Sequence, residues 1–575
     1  MPAAPPALSG AASTFRTALL CVFLAATAVV MPLCFRGDAS GHDFLFHLAS
    51  WMEVSSQWHE GIVYPRWAEW ANWGFGEPRF VFYPPASWTL GAALGSVLPW
   101  RMVPGAFIWL ALMIAGMSMW KLAREWLPPP QAAAAGVLFA VNPYNLVIVY
   151  YRSDFSELLA VALLPLAVWG ALHCVRQEWR CVPLLAAAFA AIWLANAPAA
   201  VIATYSLALI FLTGCAVRRS LRPLLPGATA MAGGFGLAAF YILPAAWEQQ
   251  WVEIAQAVAD NVQPARNFLF TQANDPEFVF FNWKVSWVAL SMMLVTGIAG
   301  VWTARKRREI GEIWWTLLVL GAASVLLMFR PSDFVWRHLP KLQFLQFPWR
   351  WLDVLAVVFA CSLATAMNGM RRRAAWVLGI FLLAITAAAA TAMIEDAWWD
   401  SAGAPVLSQA IGSRRGYEGT DEYMPTGCDR SELPGNPDDE TRLPYVSSTP
   451  AEPIEKFDGA SGSLVPAKGV RLHIEQWSAE HKAFRADTET SVTLAFRLLA
   501  YPAWEVRVDG RRARFEAHPV TAQLLLPLGP GAHHVEVRFL RTWDRTAGGI
   551  TSALSAVALL ALAGALRRRR RTGDA

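Results

Sequence analysis

The sequence predicts an α-helical polytopic membrane protein with about twelve transmembrane helices and an antiparallel β-sandwich or jelly-roll domain outside the membrane. The first observation is composition: 55% of the 575 residues are hydrophobic and 16% are charged, which is too apolar for a soluble domain. The second is the recurrence of uncharged apolar runs of about 18 residues or more, the length that crosses a bilayer core. The third is one long polar insert near the C-terminus whose second half alternates as strands do.

The predicted spans account for most of the chain. The first is long enough to cross the membrane and has no clear small-x-small cleavage motif before Arg36, so we expect a retained span and not a cleaved signal peptide. The twelve spans are expected near residues 15–35, 103–122, 131–150, 157–176, 181–196, 198–217, 224–247, 285–304, 312–329, 350–368, 374–394 and 548–566.

The placement of positive charge orients these spans. Short loops rich in Lys and Arg stay on the cytoplasmic side. Six basic clusters can share that side only if the short apolar stretch 84–99, which begins and ends near prolines, makes no net crossing. Both termini are then cytoplasmic, and the remaining loops are extracytoplasmic. The clusters lie at residues 121–124, 176–180, 218–222, 305–308, 371–373 and 567–571.

Three domains follow from this arrangement. Residues 1–394 form a transmembrane module whose first outer loop is 36–102, residues 395–546 form an extracytoplasmic domain, and residues 547–575 hold the last span and a basic tail. The extracytoplasmic domain is predicted to be β-rich from about residue 465, because segments such as VTLAF and WEVRV alternate and Asp509-Gly510 is a typical hairpin turn. Its first half, rich in Gly, Pro, Ser and acidic residues, is expected to be loop-like.

Three aromatic residues of the β-rich part have two interpretations. Trp477, Tyr501 and Trp504 could form platforms for a carbohydrate, or they could be core residues of the sandwich. Core packing is the more frequent role of such residues, so we expect it here.

The first outer loop contains an acidic residue beside an imidazole. Residues 43–60 can form a helix in which Asp43 and His47, four residues apart, point the same way. Such a pair could act as a general base or bind a metal ion. The alternative is that Asp43 only caps the helix. An aromatic stripe that includes Phe44, Leu48 and Trp51 suits the membrane interface.

A second acidic element is YYRSDFSELL, in the outer loop between two apolar spans. Arg152, Asp154 and Glu157 would cost several kcal/mol if they faced lipid, so they are expected to face a protein interior or an aqueous cavity. They could form an ion pair that orients the helices, or they could face Asp43 across a cavity while Arg152 takes a phosphate. The charge distribution puts both acidic elements on the same side of the membrane.

The rest of the first loop is rich in aromatic residues and turn signals. Gly and Pro residues would turn the chain between two interfacial helices. The aromatic side chains could anchor the loop at the membrane interface or form a wall for a sugar ring, and we expect anchoring to be the more frequent role. The candidate substrate-binding residues of this loop are Tyr64, Arg66, Trp67 and Tyr83.

Several strings carry a resemblance to a known family. GHDFLFHL, GIVYPRWAEWANWGFGEPRFVFYPP, YYRSDFSELL, LQFPWRWL and DEYMP, together with YPAWEVRVDG in the β-rich part, resemble the bacterial membrane proteins labelled "6-pyruvoyl-tetrahydropterin synthase-related". The first outer-loop acid and the number of spans also resemble the GT-C superfamily of membrane glycosyltransferases. The resemblance covers roughly residues 15–545. The pterin label implies nothing here, because the sequence shows no soluble three-histidine zinc site.

The resemblance implies transfer of a hexosyl or pentosyl group from a polyprenyl-phosphate donor to an extracytoplasmic glycan or lipid acceptor, in the bacterial inner membrane. The catalytic acidic residues then fall on Asp43 and on Asp154 with its neighbour Glu157. The candidates for binding the donor phosphate, together with His47, are Arg152, Arg350, Arg337 and Lys341. Arg350 could instead be a cation at the membrane interface.

A divalent cation, Mg²⁺ or Mn²⁺, is left open by the resemblance. Asp43, His47, Asp154 and Glu157 are the residues that could hold it. Two rival functions belong to other classes: a flippase or transporter of lipid-linked sugars, and a non-catalytic scaffold for envelope assembly. A transporter would favour polar groups at mid-membrane and a two-half repeat, whereas here the polar groups gather on one face.

Overall fold

The computed structural model describes residues 7–259, 261–271, 276–305, 307–368, 370–433, 453–458, 463–465 and 469–572, and helices dominate it. The α-helices are α1 Ala7–Arg36, α2 Phe44–His59, α3 Ala71–Gly74, α4 Arg79–Phe82, α5 Pro85–Gly95, α6 Val103–Ala123, α7 Pro129–Ala140, α8 Pro143–Val147, α9 Phe155–Val175, α10 Val182–Ala195, α11 Ala197–Arg218, α12 Leu224–Leu237, α13 Ala239–Glu248, α14 Pro276–Ala304, α15 Arg307–Ile310, α16 Glu312–Leu327, α17 Asp333–His338, α18 Leu352–Met367, α19 Arg372–Asp396, α20 Gly403–Gly412 and α21 Trp543–Thr572.

Each of the twelve predicted spans corresponds to an apolar helical segment. Within the described ranges, nine helices are long and apolar enough to cross a membrane, and two bent helix pairs raise the number to eleven. The twelfth segment, Trp179–Ala195, is a shorter apolar helix. Together with the C-terminal sheets, these helices confirm the predicted fold class.

The apolar stretch 84–99 forms the 11-residue helix α5, which is too short to cross a bilayer. Helix α5 packs against α2, and a Cβ atom on Gly91 would lie 2.2 Å from the Trp51 ring. The Trp51 ring in turn stacks on Phe107 of α6, with ring centroids 5.0 Å apart. The expectation that the aromatic stripe of α2 faces the membrane interface is therefore wrong, because Phe44, Leu48 and Trp51 are buried against other helices.

The C-terminal domain is a sandwich of two antiparallel five-stranded sheets, as predicted. Its strands begin at Ile454, earlier than the predicted 465. The half expected to be loop-like contains helix α20, and its residues 434–452 lie outside the described residues. The strand orders are β10-β11-β7-β3-β4 and β5-β6-β12-β8-β9. The strands are β1 Asp38–Ala39, β2 Trp399–Asp400, β3 Ile454–Asp458, β4 Ser463–Val465, β5 Val470–Trp477, β6 His481–Thr488, β7 Val492–Leu499, β8 Trp504–Val508, β9 Arg511–Ala513, β10 Glu516–Ala517, β11 Gln523–Leu528 and β12 Gly531–Phe539.

The sandwich packs directly on the first outer loop. The indole of Trp67 is fully buried and contacts the rings of Tyr501, Trp504 and Phe539, with centroid separations of 5.3 to 5.8 Å. Tyr501 and Trp504 are buried, which confirms their predicted core role, whereas Trp477 is only half-buried at the rim. The domain core and the loop therefore share one apolar cluster.

A buried polar network holds the same loop to the segment before the sandwich. Arg79 Nε lies 2.7 Å from Glu77 Oε1, and both side chains are at most 1% exposed. Glu77 also accepts hydrogen bonds from the backbone N–H and the hydroxyl of Thr420, at 2.9 and 2.8 Å. Glu53 of α2 accepts a hydrogen bond from the hydroxyl of Tyr417, at 3.0 Å. The unusual polar content of the loop thus has a structural use.

Removing one partner of this buried ion pair should be costly. We expect Arg79→Ala to lower the free energy of unfolding by about 3–5 kcal/mol, because it leaves Glu77 charged and buried. The matched control is Arg471→Ala, which breaks the exposed pair between Arg471 and Asp487 and should cost about 0–1 kcal/mol. Denaturation of the purified full chain in detergent measures both, and equal effects of the two changes would contradict the assignment.

Candidate functional site

The site forms where the first outer loop touches the segment between α8 and α9. Gly41 makes this contact close, because a Cβ atom there would lie 2.4 Å from the Tyr151 carbonyl oxygen. The backbone N–H of Asp43 donates to the carbonyl of Arg152 at 2.9 Å, and the Ser153 hydroxyl donates to the carbonyl of Ala39 at 2.7 Å. These contacts fix the position of Asp43 relative to the second acidic element.

The Arg152 guanidinium connects three carboxylates. Its Nη2 atom lies 3.1 Å from Asp43 Oδ2 and 3.2 Å from Asp154 Oδ2, and its Nη1 atom lies 2.5 Å from Glu157 Oε2. The expectation that the two acidic elements converge on one face of the fold is thus met by the geometry. The interpretation as a local ion pair also holds, since Arg152 pairs with both Asp154 and Glu157.

A second arginine faces the same carboxylates from the other side. Arg350, at the start of α18, places Nη2 3.3 Å from Asp154 Oδ2 and Nε 3.0 Å from Glu157 Oε2. It is only 4% exposed, so the interpretation of Arg350 as a cation at the membrane interface is wrong. Two guanidinium groups against two buried carboxylates give the neutralisation that burial requires.

Exposure divides the carboxylates of this cluster into two kinds. The Asp43 side chain is 38% exposed, whereas those of Asp154 and Glu157 are 5% and 0% exposed. The Asp43 side chain makes no capping hydrogen bond to α2, so it is free of the capping role. Asp154 does cap a helix, because its Oδ1 atom accepts from the Glu157 backbone N–H at 2.9 Å.

The pKa of Asp154 shows which effect dominates around it. Burial alone would raise this pKa, but the neighbouring His47 ring and the charges of Arg152 and Arg350 outweigh burial and hold it well below its usual range. His47 Nε2 lies 3.6 Å from Asp154 Oδ1. Asp154 is therefore a fixed negative charge at neutral pH.

The predicted substrate-binding residues separate into three groups. Tyr83 belongs to the site, because its hydroxyl lies 2.7 Å from that of Ser156, which in turn donates to Asp154. The predicted role of Trp67 is wrong, because the indole is buried in the sandwich interface. Tyr64 and Arg66 line a different cavity.

The two other residues predicted to bind the donor phosphate, Arg337 and Lys341, lie elsewhere. Arg337 pairs with Asp333 at 2.5 Å and its side chain is 64% exposed. The Lys341 ammonium lies over the Phe344 ring, 4.7 Å from its centroid. Both follow the end of a span in sequence, but the contacts of the described residues do not connect either one to the carboxylate cluster.

Sequence reasoning missed three members of the site. Tyr144 donates to Glu157 at 2.5 Å, and Asn196 donates to Ser156 at 2.8 Å. Asp353 of α18 is 1% exposed, and neither of its carboxylate oxygens has a hydrogen-bond partner within the described part of the chain. Its signal was available, because an acidic residue one turn into an apolar span faces protein and not lipid.

Two of the four candidate metal ligands, Asp154 and Glu157, have their carboxylate oxygens engaged by protein donors in this arrangement. Asp154 Oδ1 accepts from Ser156 and the backbone, Glu157 Oε1 accepts from Tyr144, and the other oxygen of each carboxylate faces both arginines. Among the described residues, the one group with metal-ligand spacing lies elsewhere, at His173, Glu178 and Cys181. The divalent cation stays a prediction, with Asp43 and His47 as the candidates that the arginines leave accessible or unpaired.

The family is decided by the sequence of the helical part. Residues 80–395 match the model of the family described as 6-pyruvoyl-tetrahydropterin synthase related domain, a membrane protein, and this is more than half of the chain. The chain belongs to this family. The match confirms the predicted membership and includes α4 to α19, with Asp154, Glu157 and Arg350 but not Asp43. No curated protein sequence matches the chain.

Solved structures similar to this family member include oligosaccharyltransferases. The apo form of the Archaeoglobus fulgidus oligosaccharyltransferase matches with a TM-score of 0.40 and 14% identity, over 67% of this chain and 56% of that chain. The archaeal oligosaccharyltransferase AglB from Archaeoglobus fulgidus, in complex with an inhibitory peptide and a dolichol-phosphate, matches with a TM-score of 0.35 and 10% identity, over the same shares. The chain thus spans little more than half the length of these structures.

The close contact at Gly41 provides a test of how the site is assembled. We expect Gly41→Ala to lower stability by about 1–3 kcal/mol, because the added Cβ atom forces the loop away from the Tyr151 carbonyl. Gly105→Ala is the control, since a Cβ atom there meets nothing within 4 Å. The measurement is the thermal midpoint of each purified variant, and an unchanged midpoint for Gly41→Ala would show that the loop does not depend on this contact.

The ionisation of Asp154 predicts a pH profile of stability. A carboxyl whose folded-state pKa lies below 3.8 stabilises the fold above that pH and loses this contribution only as pH falls through the folded value. We therefore expect Asp154→Asn to lower the thermal midpoint by a constant amount between about pH 5 and about pH 8. The exposed Asp487→Asn change is the control. A difference that disappears between those pH values would mean that Asp154 titrates there.

Proposed function

We propose that this protein is a membrane glycosyltransferase that moves a sugar from a polyprenyl-phosphate donor to an extracytoplasmic acceptor in envelope glycan or glycolipid assembly. The observation that carries the proposal is the exposure of Asp43. It is an accessible carboxylate at the edge of a cluster whose other acidic members are buried and paired with arginines.

Asp43 is the proposed general base. It takes the proton from the acceptor hydroxyl as the acceptor oxygen forms a bond to the anomeric carbon. The bond from that carbon to the phosphate oxygen breaks on the opposite face, and its electron pair leaves with the lipid phosphate. The step is charge-balanced, because one proton and one leaving anion appear together.

The arginines are proposed to receive the leaving phosphate. Arg152 is also held over the ring of Trp349, 5.0 Å from its centroid, which fixes the guanidinium plane next to Asp43. Fixed cations stabilise charge that develops on the leaving oxygen without reorganising at the moment of reaction. A direct catalytic role of Asp154 and Glu157 stays a prediction, and their burial favours a positioning role in which they hold Arg152 and Arg350.

The two arginines are the proposed hydrogen-bond donors to the leaving phosphate, and a divalent cation stays a prediction beside them. The proposal also places the site and the β-sandwich on the extracytoplasmic side of a bacterial inner membrane, with both termini cytoplasmic. The rival transporter and scaffold functions share this membrane setting but need no base. They are therefore separated from transfer chemistry by the Asp43 carboxylate alone.

The test is Asp43→Asn in cells that express the variant in place of the natural chain. We expect the transferred sugar to fall by about 10²-fold or more in the envelope glycan and glycolipid profile, because general-base catalysis is worth that much. Purified Asp43→Asn protein should keep its thermal midpoint to within a few degrees, since its carboxylate is partly exposed. Mass spectrometry of extracted glycolipids gives the readout.

The matched control is Asp38→Asn in the same loop. Burial, reinforced by the charge of Asp400, raises the pKa of Asp38 to about 7, so a neutral amide suits its site. It lies on β1, outside the Arg152 cluster, and the profile should be unchanged. A normal profile with well-folded Asp43→Asn protein would support a transporter or a scaffold in place of a transferase.

A further inference from the structure

A second cavity lies between the first outer loop, α13, the end of the sandwich and the start of α21. Its volume is about 760 Å³, which lies in the range of small-molecule sites. The cavity is lined by four arginines and one glutamate, Glu480, and we call it the arginine cavity. Its arginines are Arg66, Arg538, Arg541 and Arg545.

Arg545 is buried, and one nitrogen of its guanidinium group makes no hydrogen bond to the described residues. Its Nε and Nη2 atoms bind Glu248 at 2.7 and 2.8 Å, which fixes the plane of the guanidinium. Its Nη1 atom is buried and has no hydrogen-bond partner among the described residues. Arg545 therefore places a fixed guanidinium group in the wall of the cavity, where its charge can attract an anion.

Arg541 is the cation of the cavity with no carboxylate partner among the described residues. Its guanidinium lies across Gly549, where a Cβ atom would come within 2.9 Å of Nη2, and its protein contact is a 3.4 Å hydrogen bond to the Arg545 carbonyl. By contrast, Arg66 pairs with Glu480 and Arg538 pairs with Glu536. The exposed Arg541 and the buried Arg545 therefore both contribute to the lining of the cavity.

Much of the remaining lining of the cavity is apolar or aromatic. Phe80 and Val81 of the first loop are buried in its wall, and Phe240 and Tyr241 of α13 face them across the space. The Phe539 ring lies between the guanidinium groups of Arg66 and Arg545, 5.1 and 4.9 Å from its centroid. A ligand that matches this lining has an anionic head and a hydrocarbon part.

Two exposed tryptophans mark the depth of the cavity in the membrane. Trp247 at the end of α13 and Trp543 at the start of α21 are 42% and 58% exposed, and their rings contact each other at 4.9 Å. Tryptophan side chains of membrane proteins concentrate at the headgroup level. Arg541 and Arg545 flank Trp543 in sequence, so these two arginines lie where lipid phosphates lie.

We propose that the arginine cavity binds the phosphate headgroup of a membrane lipid, with Arg541 and Arg545 on the phosphate and the aromatic wall against the start of the acyl or prenyl chain. Charge-assisted bonds from guanidinium groups to phosphate are the strong contacts in such a site. A phosphorylated soluble metabolite shares the headgroup chemistry but leaves the aromatic wall without a partner.

This site is distinct from the Asp43 cluster, and its occupation does not depend on glycosyl transfer. The two sites lie on opposite sides of the segment 80–83. Phe80 and Val81 face the arginine cavity, whereas Tyr83 binds Ser156 of the other site. The hydroxyl of Tyr241 donates to the Phe82 carbonyl at 2.8 Å and fixes the segment between them.

The experiment is calorimetric titration of the purified full chain in a neutral detergent with dioctanoyl phosphatidic acid. We expect one binding event per chain and an affinity at least about tenfold higher than that of dioctanoylglycerol, which lacks the phosphate. Inorganic phosphate separates the two sources of the headgroup. An affinity for inorganic phosphate equal to that for phosphatidic acid would overturn the lipid assignment in favour of a soluble phosphate.

Two variants locate the binding. Arg541→Gln should weaken phosphatidic acid by about tenfold, and Gly549→Leu should weaken it by displacing Arg541, while Arg471→Gln on the outer surface of β5 removes the same charge and should have no effect. Asp43→Asn should bind as the natural chain does, which separates this site from the proposed transfer. Unchanged affinity in well-folded Arg541→Gln and Gly549→Leu proteins would overturn the proposal.

Discussion

One guanidinium group holds the candidate site together. Arg152 binds Asp43 of the first outer loop and Asp154 and Glu157 of the second outer element, so two segments 109 residues apart meet at a single side chain. Arg350, two residues before α18, adds a second cation. Three carboxylates pair with these two arginines, and burial makes the pairs of Asp154 and Glu157 costly to break. The backbone contacts at Gly41 and Ser153 supply the geometry of the pairing.

The same cluster explains why its acidic residues differ in their chemical use. Asp154 and Glu157 are buried and each faces two arginines, which favours a role in which they hold those arginines in place. Partial exposure leaves Asp43 with one cationic neighbour and access to solvent. In the proposed function, the tasks of carrying charge and of exchanging a proton therefore fall to residues from different segments.

Much of the fold and part of the candidate site could be predicted from the sequence, and the predictions that were wrong have physical explanations. Hydropathy predicted the spans, since bilayer thickness sets their length, and the rarity of charge between apolar runs singled out Arg152, Asp154 and Glu157. Periodicity could not tell that the aromatic face of α2 meets α6 and not lipid, because protein and bilayer are equally apolar. The partners of Trp67 lie more than 430 residues away in Tyr501, Trp504 and Phe539, and composition carries no information about such contacts. Arg337 and Lys341 lie away from the carboxylate cluster, because a position just after a span determines how deep a side chain lies in the membrane but not which way it points.

The burial of Trp67 among aromatic rings of the sandwich has a consequence for how the domain and the loop evolve. An isolated sandwich domain would expose an apolar surface where the Trp67 indole now packs, and such a surface promotes self-association. We therefore expect that the β-domain could not be exchanged between relatives as an independent domain. It can be replaced only together with the loop that completes its interior, so changes in either partner are expected to be selected jointly.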